Sequence, residues 1–355
     1  MKAIKFFIEG DLLYADMFAD ICAAKRKVDI ESYIFADDEI GQAMASLLIG
    51  KVIEGVNVRL MVDAVGSMRW RNKKFFQGLK DKGILVHWFN PWSWKDPLRF
   101  NRRNHRKLVV IDDDICFVGG FNIHAESSRR VFGERRWKDN HVKFSGALGG
   151  KLANQFELNW RGMGRKLQEV KSDNGLSRIL PNHSRRCRRK LRCEYLRVIS
   201  QAQCSVVVTT PYFVPDHKMI QALQQVASRG VKVSIIVPKY NDHALLKYAA
   251  YWYYRRLISS GIEVFEYVSR MLHAKALLID ERLVVVGSAN MDYRSFFLNS
   301  EIMIFSEEEK LVDFVSEDTR QNLLESESVT LKSISRHSRI TKLFALTGYL
   351  LRRWL

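Results

Sequence analysis

The sequence predicts a duplicated α/β protein whose two halves meet at one shared site. Two observations predict it: a polar motif that occurs twice, and an order of strands and helices that repeats around it. The motif is H-x-K-x(4)-D-x(6)-G-[GS]-x-N, and its copies begin at His105 and His273, 273 − 105 = 168 residues apart. Because the same spacing also recurs in the downstream Gly and Asn, the pattern indicates duplication rather than chance.

Each half is predicted to run strand, helix, strand, helix and then a hairpin that carries the motif. The predicted pairs, first half and then second half, are strands 28–35 and 204–214, helices of about 40–54 and 218–228, strands 56–63 and 231–238, and return strands 115–118 and 283–286. Alternation along each motif strand places the His and Lys side chains on the same face. The Gly pairs that follow are expected where a Cβ would obstruct a close backbone approach.

Length and composition predict two domains joined by a linker. A chain of 355 residues with 47% hydrophobic residues can build two cores of ordinary size. The predicted layout is a first domain at 1–165, a basic linker at 166–190, a second domain at 191–330 and a basic amphipathic tail at 331–355. The apolar residues of the tail form no single stripe, so a helix lying on a membrane and a helix docked on the second domain are both open.

Several protein classes are excluded. No apolar run reaches the ~20 residues that a membrane-spanning helix needs. Acidic residues interrupt the N-terminal segment, which therefore lacks the apolar core of a signal peptide. The five cysteines are odd in number and scattered, which favours a reducing compartment without a disulfide framework.

The charge predicts an anionic partner. The formal net charge is +18 at pH 7, which suits nucleic acid, an anionic membrane or a phosphorylated substrate. Basic clusters occur at 69–74, 99–107 and 185–192. A basic run is usually a solvated surface, but the second cluster runs into His105 and is expected near the site.

The duplicated residues suit chemistry at a phosphodiester. One neutral imidazole can attack phosphorus, while a protonated imidazole on the opposite side protonates the leaving oxygen and later deprotonates the acceptor. Lys107 and Lys275 are expected on the equatorial oxygens, with Asn122 and Asn290 as neutral phosphate-binding donors. No metal and no cofactor is expected, because no carboxylate or His/Cys cluster in the sequence suggests such a site.

Four acids accompany the motifs. Asp139 follows the first copy and Glu301 follows the second, and each is a candidate to orient an imidazole through its other ring nitrogen. Asp112 and Asp280 lie farther along the motif strands. The residue pattern favours for these two a role in fixing the hairpin or in binding the neighbouring half.

The paired motifs resemble the phospholipase D superfamily, and longer segments resemble its bacterial cardiolipin synthase branch. Those segments are WKDNHVKFSG at 137–146, PYFVP at 211–215 and the motif stretches that begin at His105 and His273. The resemblance spans about residues 8–325. It implies a duplicated phospholipase D-like fold, in which two mixed β-sheet domains flanked by helices surround a pseudo-twofold axis.

The resemblance also implies a reaction. A phosphatidyl group passes through a phosphohistidine from one phosphatidylglycerol to another, which yields cardiolipin and glycerol. The residues to which it assigns catalysis are His105, Lys107, Asp112, His273, Lys275 and Asp280. The expected partners are anionic phospholipid and the membrane surface. A peripheral location on the cytoplasmic side of the cell membrane is expected, because the chain begins at the first domain without the N-terminal membrane helices that some members have.

The sequence leaves alternatives open. Hydrolysis of phospholipids, cleavage of nucleic acid by a related phosphodiesterase and a non-catalytic scaffold are the rival functions. Nucleic acid is the less favoured partner, because the aromatic run WFNPWSW at 88–94 suits a lipid interface, although aromatic rings also stack on bases. The residues do not identify the nucleophilic His, the oligomeric state, or the acceptor among phosphatidylglycerol, phosphatidylethanolamine, another alcohol and water.

Overall fold

Two mixed β-sheets, each flanked by helices, form the chain. The computed structural model describes residues 4–68, 72–96, 100–183, 185–336 and 338–352. Residues 69–71 and 99 of the basic clusters and Trp354 of the tail lie outside the described residues, as do the side chains of 185–189 in the third cluster. Among the described residues, no helix is long and apolar enough to cross a membrane.

The first half builds a sheet of seven described strands in the order β1-β7-β6-β5-β2-β3-β4. Its elements are β1 (Ile4–Phe7), α1 (Gly10–Ala23), β2 (Lys27–Ser32), α2 (Glu39–Ile53), β3 (Asn57–Asp63), α3 (Lys73–Asp81), β4 (Leu85–Phe89), β5 (Leu108–Ile111), β6 (Ile115–Gly119), α4 (Arg129–Phe132), β7 (His141–Ser145) and α5 (Ala147–Trp160).

The rest of the chain adds a sheet of nine described strands in the order β18-β13-β12-β10-β14-β15-β17-β9-β8, and the short pair β11–β16. Its elements are β8 (Val170–Lys171), β9 (Ser177–Asn182), α6 (Arg185–Gln201), β10 (Ser205–Thr209), β11 (Phe213–Val214), α7 (His217–Ser228), β12 (Lys232–Pro238), α8 (Ala244–Ile258), β13 (Glu263–Tyr267), β14 (Ala276–Ile279), β15 (Leu283–Gly287), β16 (Met291–Asp292), α9 (Tyr293–Phe297), β17 (Glu301–Ser306), α10 (Glu309–Leu324), β18 (Ser326–Ser328), α11 (Leu331–Ser335) and α12 (Arg339–Leu351).

The two sheets repeat one topology, which confirms the predicted duplicated α/β fold. The order β7-β6-β5-β2-β3-β4 in the first sheet matches β17-β15-β14-β10-β12-β13 in the second. Local signals repeat as well: Asp38 caps α2 and Asp216 caps α7 by accepting backbone N–H bonds. Gly55 (φ 85°) and Gly230 (φ 87°) follow these helices in the left-handed conformation that ends a helix.

The segment predicted as a linker contributes strands to the second sheet. β9 pairs antiparallel with β17, and β8 pairs with β9. This arrangement repeats the first sheet, where β1 pairs antiparallel with β7. The structural repeat therefore begins again at β9, inside residues 166–190, and the predicted domain boundaries stay a prediction.

The core between the sheets joins the two halves. Successive residues of β5 face opposite sides of its sheet, as a strand requires: Leu108 and Val110 pack between the sheets, whereas Val109 and Ile111 pack in the outer core of the first half. In β14, Leu278 faces the same inter-sheet core. Each such buried side chain contributes ~1.5–3 kcal/mol, so the motif strands are fixed against each other.

Candidate active site

Each motif enters its strand by pairing with the other half of the chain. The backbone N–H of His105 donates to the carbonyl of Ser300 at 2.9 Å, and that of His273 donates to the carbonyl of Lys138 at 2.6 Å. Ser300 and Lys138 directly precede the acids Glu301 and Asp139 in the sequence. The motif of one half is therefore aligned with the acid of the other half.

The acid–imidazole pairs are crossed between the halves. His105 Nδ1 lies 3.0 Å from Glu301 Oε2, and His273 Nδ1 lies 2.5 Å from Asp139 Oδ2. All four side chains are buried. An ionised carboxylate can only accept a hydrogen bond, so Nδ1 donates in each pair and the lone pair of the neutral ring is at Nε2. The acid that follows a motif in the sequence thus contacts Nδ1 of the imidazole of the other motif, and its orienting role stays a prediction.

The two carboxylates have different neighbours. Glu301 accepts hydrogen bonds from the hydroxyls of Ser288 at 2.6 Å and Ser295 at 2.9 Å. Asp139 accepts the backbone N–H of Asn140 at 2.8 Å and lies 3.4 Å from the ammonium of Lys275. Hydroxyl groups therefore support one acid, whereas a cation supports the other.

Lys107 and Lys275 are buried beside the imidazoles, 2% and 1% exposed. Lys107 Nζ donates to the carbonyl of His105 at 2.8 Å, and Lys275 Nζ donates to the carbonyl of His273. Lys275 Nζ also lies 2.7 Å from His273 Nδ1, while Lys107 Nζ lies 5.2 Å from the centre of the Tyr33 ring. The lysines share one backbone contact and differ in their other neighbours.

Burial lowers the pKa of both imidazoles and both ammonium groups, because desolvation disfavours the charged form. For His273 the burial and the charge of Lys275 lower the pKa to about 4. Burial lowers the pKa of His105 as well, although Glu301 opposes the shift. Burial and the charge of Lys275 lower the pKa of Lys107 to about 7. A charge of the second half, on Lys275, thus lowers the pKa of a group of the first half, Lys107, which indicates that the two motifs are electrostatically coupled.

Asp139 is held ionised. Burial raises its pKa, but the charges of Lys275 and His273 and the hydrogen bond from His273 outweigh burial and lower the pKa to about 2. An ionised carboxylate on Nδ1 keeps the imidazole in the tautomer that exposes its lone pair at Nε2.

The two motif asparagines are buried but have different partners. Asn122 Oδ1 accepts the backbone N–H of Ile34 at 3.1 Å, so its amide nitrogen is the atom with which it would contact a phosphate oxygen. The side chain of Asn290 hydrogen-bonds to Asp292, whose pKa is raised mainly by burial. Phosphate binding by either asparagine stays a prediction.

The glycine pairs let the acid-bearing segments approach closely. A Cβ on Gly119 would lie 2.4 Å from the carbonyl oxygen of Asn140, and one on Gly287 would lie 2.3 Å from that of Ile302. A Cβ on Gly120 would lie 2.0 Å from Asp139 Oδ1. The equivalent position in the second copy is Ser288, whose hydroxyl bonds Glu301. At the variable Gly/Ser position of the motif, the first copy therefore has the Gly that leaves room for Asp139, and the second copy has the Ser that hydrogen-bonds to Glu301.

Asp112 and Asp280 lie at the far end of the motif strands, away from the imidazoles. Asp112 accepts the backbone N–H groups of residues 25–27 at 2.7–2.9 Å, and Asp280 accepts those of residues 203–205 at 2.7–2.9 Å. The four residues of β5 lie between Lys107 and Asp112, so five residue steps separate the two, a distance of ~16 Å. Both carboxylates bind the chain that begins the neighbouring strand, which favours a role in anchoring the hairpin. The catalytic assignment that the resemblance implies stays a prediction.

Several residues around the imidazoles were not anticipated. Tyr33 packs edge-on to His105, with ring centres 4.9 Å apart, and Trp137 lies 5.0 Å from His273. The ring of Tyr212 lies 6.3 Å from His273. Tyr33 and Tyr212 both follow the first long strand of their half, so the repeat itself was the signal that could have found them.

The second basic cluster is partly internal. Arg103 is 3% exposed and pairs with Asp63 at 3.3 Å, and Arg106 is fully buried with its Nε 3.2 Å from Glu31. These two cations therefore do not form the expected basic surface. The aromatic run is different, because Trp92 and Trp94 are 50% and 87% exposed. Among the described residues, no group of three or more His, Cys, Asp or Glu side chains could hold a metal ion.

Comparison with known proteins identifies relatives of the whole repeat. A protein-family model described as cardiolipin synthase, PLD-like domain, matches residues 17–160 and 195–322. A cardiolipin synthase of Oceanobacillus iheyensis is 32% identical over 301 residues, which are 82% of this chain and 62% of that protein. One of Clostridium perfringens is 33% identical over 304 residues, 81% of this chain and 63% of that protein. The chain thus spans less than two thirds of the length of these curated relatives.

Solved structures share the fold. A phosphatidylserine synthase of Haemophilus influenzae matches with a TM-score of 0.77 over 99% of this chain and 95% of that chain, at 16% identity. A polyphosphate kinase of Porphyromonas gingivalis matches with a TM-score of 0.68 over 94% of this chain and 49% of that chain, at 12% identity. Likeness at such low identity concerns the fold alone. On the family match to both halves and the identity to its curated relatives, the chain belongs to the cardiolipin synthase, PLD-like family of the phospholipase D superfamily.

Proposed function

We propose that this chain is a cardiolipin synthase-type phosphatidyltransferase, which transfers a phosphatidyl group between two phosphatidylglycerol molecules and releases glycerol. One observation carries the proposal. Each of two buried imidazoles is hydrogen-bonded at Nδ1 to a carboxylate of the other half, which leaves the lone pair at Nε2 to react with phosphorus or with a proton. Two relatives that are 32% and 33% identical bear the name cardiolipin synthase, which supports this reaction.

The transfer is a double displacement. In the first step, Nε2 of one imidazole forms a bond to phosphorus while the bond to the glycerol oxygen breaks, and the opposite imidazole gives that oxygen a proton. In the second step, the opposite imidazole takes the proton of the acceptor hydroxyl, whose oxygen attacks phosphorus as the P–N bond breaks. Either His105 or His273 can fill the nucleophilic role. Neither step requires a metal ion or a cofactor.

The surrounding residues support these steps. The ammonium groups of Lys107 and Lys275 stabilise the non-bridging oxygens, whose charge grows in the transition state, and Asn122 and Asn290 add neutral donors. Both imidazoles have lowered pKa values in the free protein, which suits the nucleophile. The bound phosphodiester anion raises the pKa of the opposite imidazole, which suits the acid.

The proposed setting is the cytoplasmic surface of the cell membrane, to which the protein binds peripherally. The net charge of +18 favours an anionic bilayer, where each Lys or Arg near the surface contributes ~1 kcal/mol. Exposed Trp92 and Trp94 suit the headgroup region. Phosphatidylglycerol serves in this proposal as donor and as acceptor.

The test is to incubate the purified chain with phosphatidylglycerol vesicles, with and without a metal chelator, and to separate the lipid products. Cardiolipin and glycerol in equal amounts are the expected result in both samples. Phosphatidic acid as the only product would replace the transferase by a hydrolase. Cleavage of DNA or RNA without lipid turnover would refute the lipid substrate altogether.

A further inference from the structure

Helix α12 is docked on α8 through one of its faces. Ala345 is 6% exposed, and a Cβ on Gly348 would lie 2.9 Å from the backbone N of Ala249. The ring of Tyr349 stacks on that of Trp252 with centres 4.9 Å apart. Close backbone approach at Gly348 and aromatic stacking beside it fix the position of α12.

The opposite face of α12 is apolar and exposed. Its members and their exposed fractions are Ile340 67%, Leu343 63%, Leu346 37%, Leu350 64% and Leu351 42%. At 3.6 residues per turn these positions share one arc of ~140°. We call this set the outer face of α12. The two readings that the sequence left open, docking and membrane contact, are therefore compatible in one helix.

The charge around the outer face favours an anionic partner. Residues 328–355 include six Lys or Arg and no Asp or Glu. On the docked side of α12, a groove of about 710 Å³ is lined by Arg255 and Arg256 of α8 and by Arg352, beside the ring of Trp252. An apolar helix face flanked by cations is the pattern of helices that lie in the interface of an anionic membrane.

The outer face is also linked to the imidazole site. α8, on which α12 packs, begins directly after Asp242 and His243. Asp242 accepts the hydroxyl of Tyr212 at 2.8 Å, and the ring of Tyr212 lies 6.3 Å from that of His273. The helix that supports α12 therefore starts at the wall of the site.

We propose that the outer face of α12 inserts into the interface of an anionic phospholipid membrane and holds the imidazole site against its lipid substrate. The choice of lipid as the occupant rests on the proposed function. Lys332, Arg336 and Arg352 flank the apolar residues along the chain and attract the anionic headgroups, while the leucines supply apolar burial.

The experiment compares two triple variants of the full chain. In the first, Leu343→Gln, Leu346→Gln and Leu350→Gln make the outer face polar without changing the charge. The matched control carries Leu12→Gln, Ile53→Gln and Leu324→Gln. These three residues lie outside α12, and their exposed fractions are 65%, 80% and 69%. Sedimentation with vesicles of phosphatidylglycerol or of phosphatidylcholine measures binding, and thermal unfolding checks the fold.

The unchanged protein is expected to bind phosphatidylglycerol vesicles and to bind phosphatidylcholine weakly. The outer-face variant should lose at least tenfold in binding and in turnover of vesicle lipid, yet stay within twofold on monomeric short-chain phosphatidylglycerol. The control variant should behave as the unchanged protein does.

Equal vesicle binding by both variants, or no vesicle binding by the unchanged protein, would overturn the proposal. It would also be overturned if the unchanged protein formed a dimer that the outer-face variant could not form, while that variant still bound vesicles. Light scattering measures the last of these. If the unchanged protein binds vesicles through this face but turns over no lipid, the proposed function fails and the membrane surface stands.

Discussion

The two halves of the site share one scaffold but differ in how each imidazole is supported. In both, a motif hairpin receives a carboxylate from the other half on Nδ1 of its His. Glu301, which supports His105, is held by two serine hydroxyls. Asp139, which supports His273, is held by the ammonium of Lys275. A duplicated fold therefore does not impose equal chemistry on its two copies.

The carboxylate of Glu301 is held by hydroxyl groups and that of Asp139 by an ammonium group, and these two partners have different effects. A hydroxyl orients a carboxylate without adding charge, whereas a buried ammonium within 4 Å also changes the pKa of every neighbour. The pKa of His273 falls to about 4 by burial and by the charge of Lys275. Burial lowers the pKa of His105 as well, but there the next largest cause is the charge of Glu301, which opposes the shift.

The largest expected effect comes from removing an imidazole. His105→Ala and His273→Ala should each reduce turnover of phosphatidylglycerol at least ~10⁴-fold, because neither half supplies both a nucleophile and an acid. A substrate with a p-nitrophenol leaving group separates the roles, since this leaving group needs no proton. One variant should still release a stoichiometric burst of nitrophenol and trap the phosphoryl group on its remaining imidazole.

The trapped adduct, located by mass spectrometry, names the nucleophilic half. Near-normal turnover by either alanine variant would contradict a shared site. A burst from both variants would show that either imidazole can attack, and the two halves would then be chemically equal despite their different supports.

The next effect tests the crossed acids. Asp139→Asn should reduce kcat/KM by about 10²–10³, because it removes the counter-ion of Lys275 as well as the partner of His273. Glu301→Gln should cost less, about tenfold to a hundredfold, since it removes no buried ion pair with a lysine. Steady-state kinetics on mixed micelles measures both losses. Equal losses would mean that the ammonium of Lys275 is unimportant for the function of Asp139.

Much of the fold follows from the sequence, because its signals are local. The strands predicted at 56–63 and 231–238 are β3 and β12 within one residue. The starts of these strands could be predicted because a glycine precedes each, and Gly55 and Gly230 have the positive φ that ends the preceding helix. The motif lysines and histidines could be picked out as candidate site residues because the duplication repeats their spacing.

The remaining features depend on contacts across the fold. Spacing along the chain cannot show that Glu301 reaches His105, because that contact depends on which segments pair between the halves. β9 lies in a segment that is basic and weakly periodic in sequence, and it becomes a strand through its pairing with β17. The apolar residues of α12 form no single stripe since one face packs on α8 while the other is exposed.

The pH dependence tests the other lysine. Because burial and the charge of Lys275 lower the pKa of Lys107 to about 7, its ammonium is present below that pH and lost above it. We expect kcat/KM to fall above pH 7, by up to about a hundredfold at pH 9, since a neutral amine stabilises the phosphoryl oxygens poorly. Lys107→Arg should remove this descending limb even if its rate at pH 7 is lower. An unchanged limb in that variant would assign the titration to another group.

A smaller effect is expected at the variable position of the motif. Gly120→Ala places a methyl group against Asp139 and should displace that carboxylate, with a loss of about tenfold in kcat/KM and ~1–3 kcal/mol of stability. Ser288→Ala removes one hydroxyl from Glu301 and should cost only severalfold in kcat/KM and ~1 kcal/mol. Kinetics and urea denaturation measure both. If Ser288→Ala were the more damaging change, the matching of this position to its acid would be wrong.

The smallest effect on catalysis is expected where the two halves are most alike. Asp112 and Asp280 each accept three backbone N–H groups. Burial raises their pKa values, but these hydrogen bonds outweigh it and lower them. The stabilisation is therefore present above the ordinary pKa of an aspartate and is lost as the pH falls through the lowered value.

Asp112→Asn and Asp280→Asn should each lower the free energy of unfolding by ~1–2 kcal/mol at pH 7. The difference from the unchanged protein should be smaller at pH 3 than at pH 7, because these aspartates bind protons in the unfolded chain before they do so in the folded protein. The kcat at 25 °C should stay within twofold. Urea denaturation at the two pH values measures the first expectation and lipid turnover the second. A loss of kcat beyond a hundredfold in a variant that stays folded would restore the catalytic role that the family resemblance implied, and the hairpin anchors would then belong to the site.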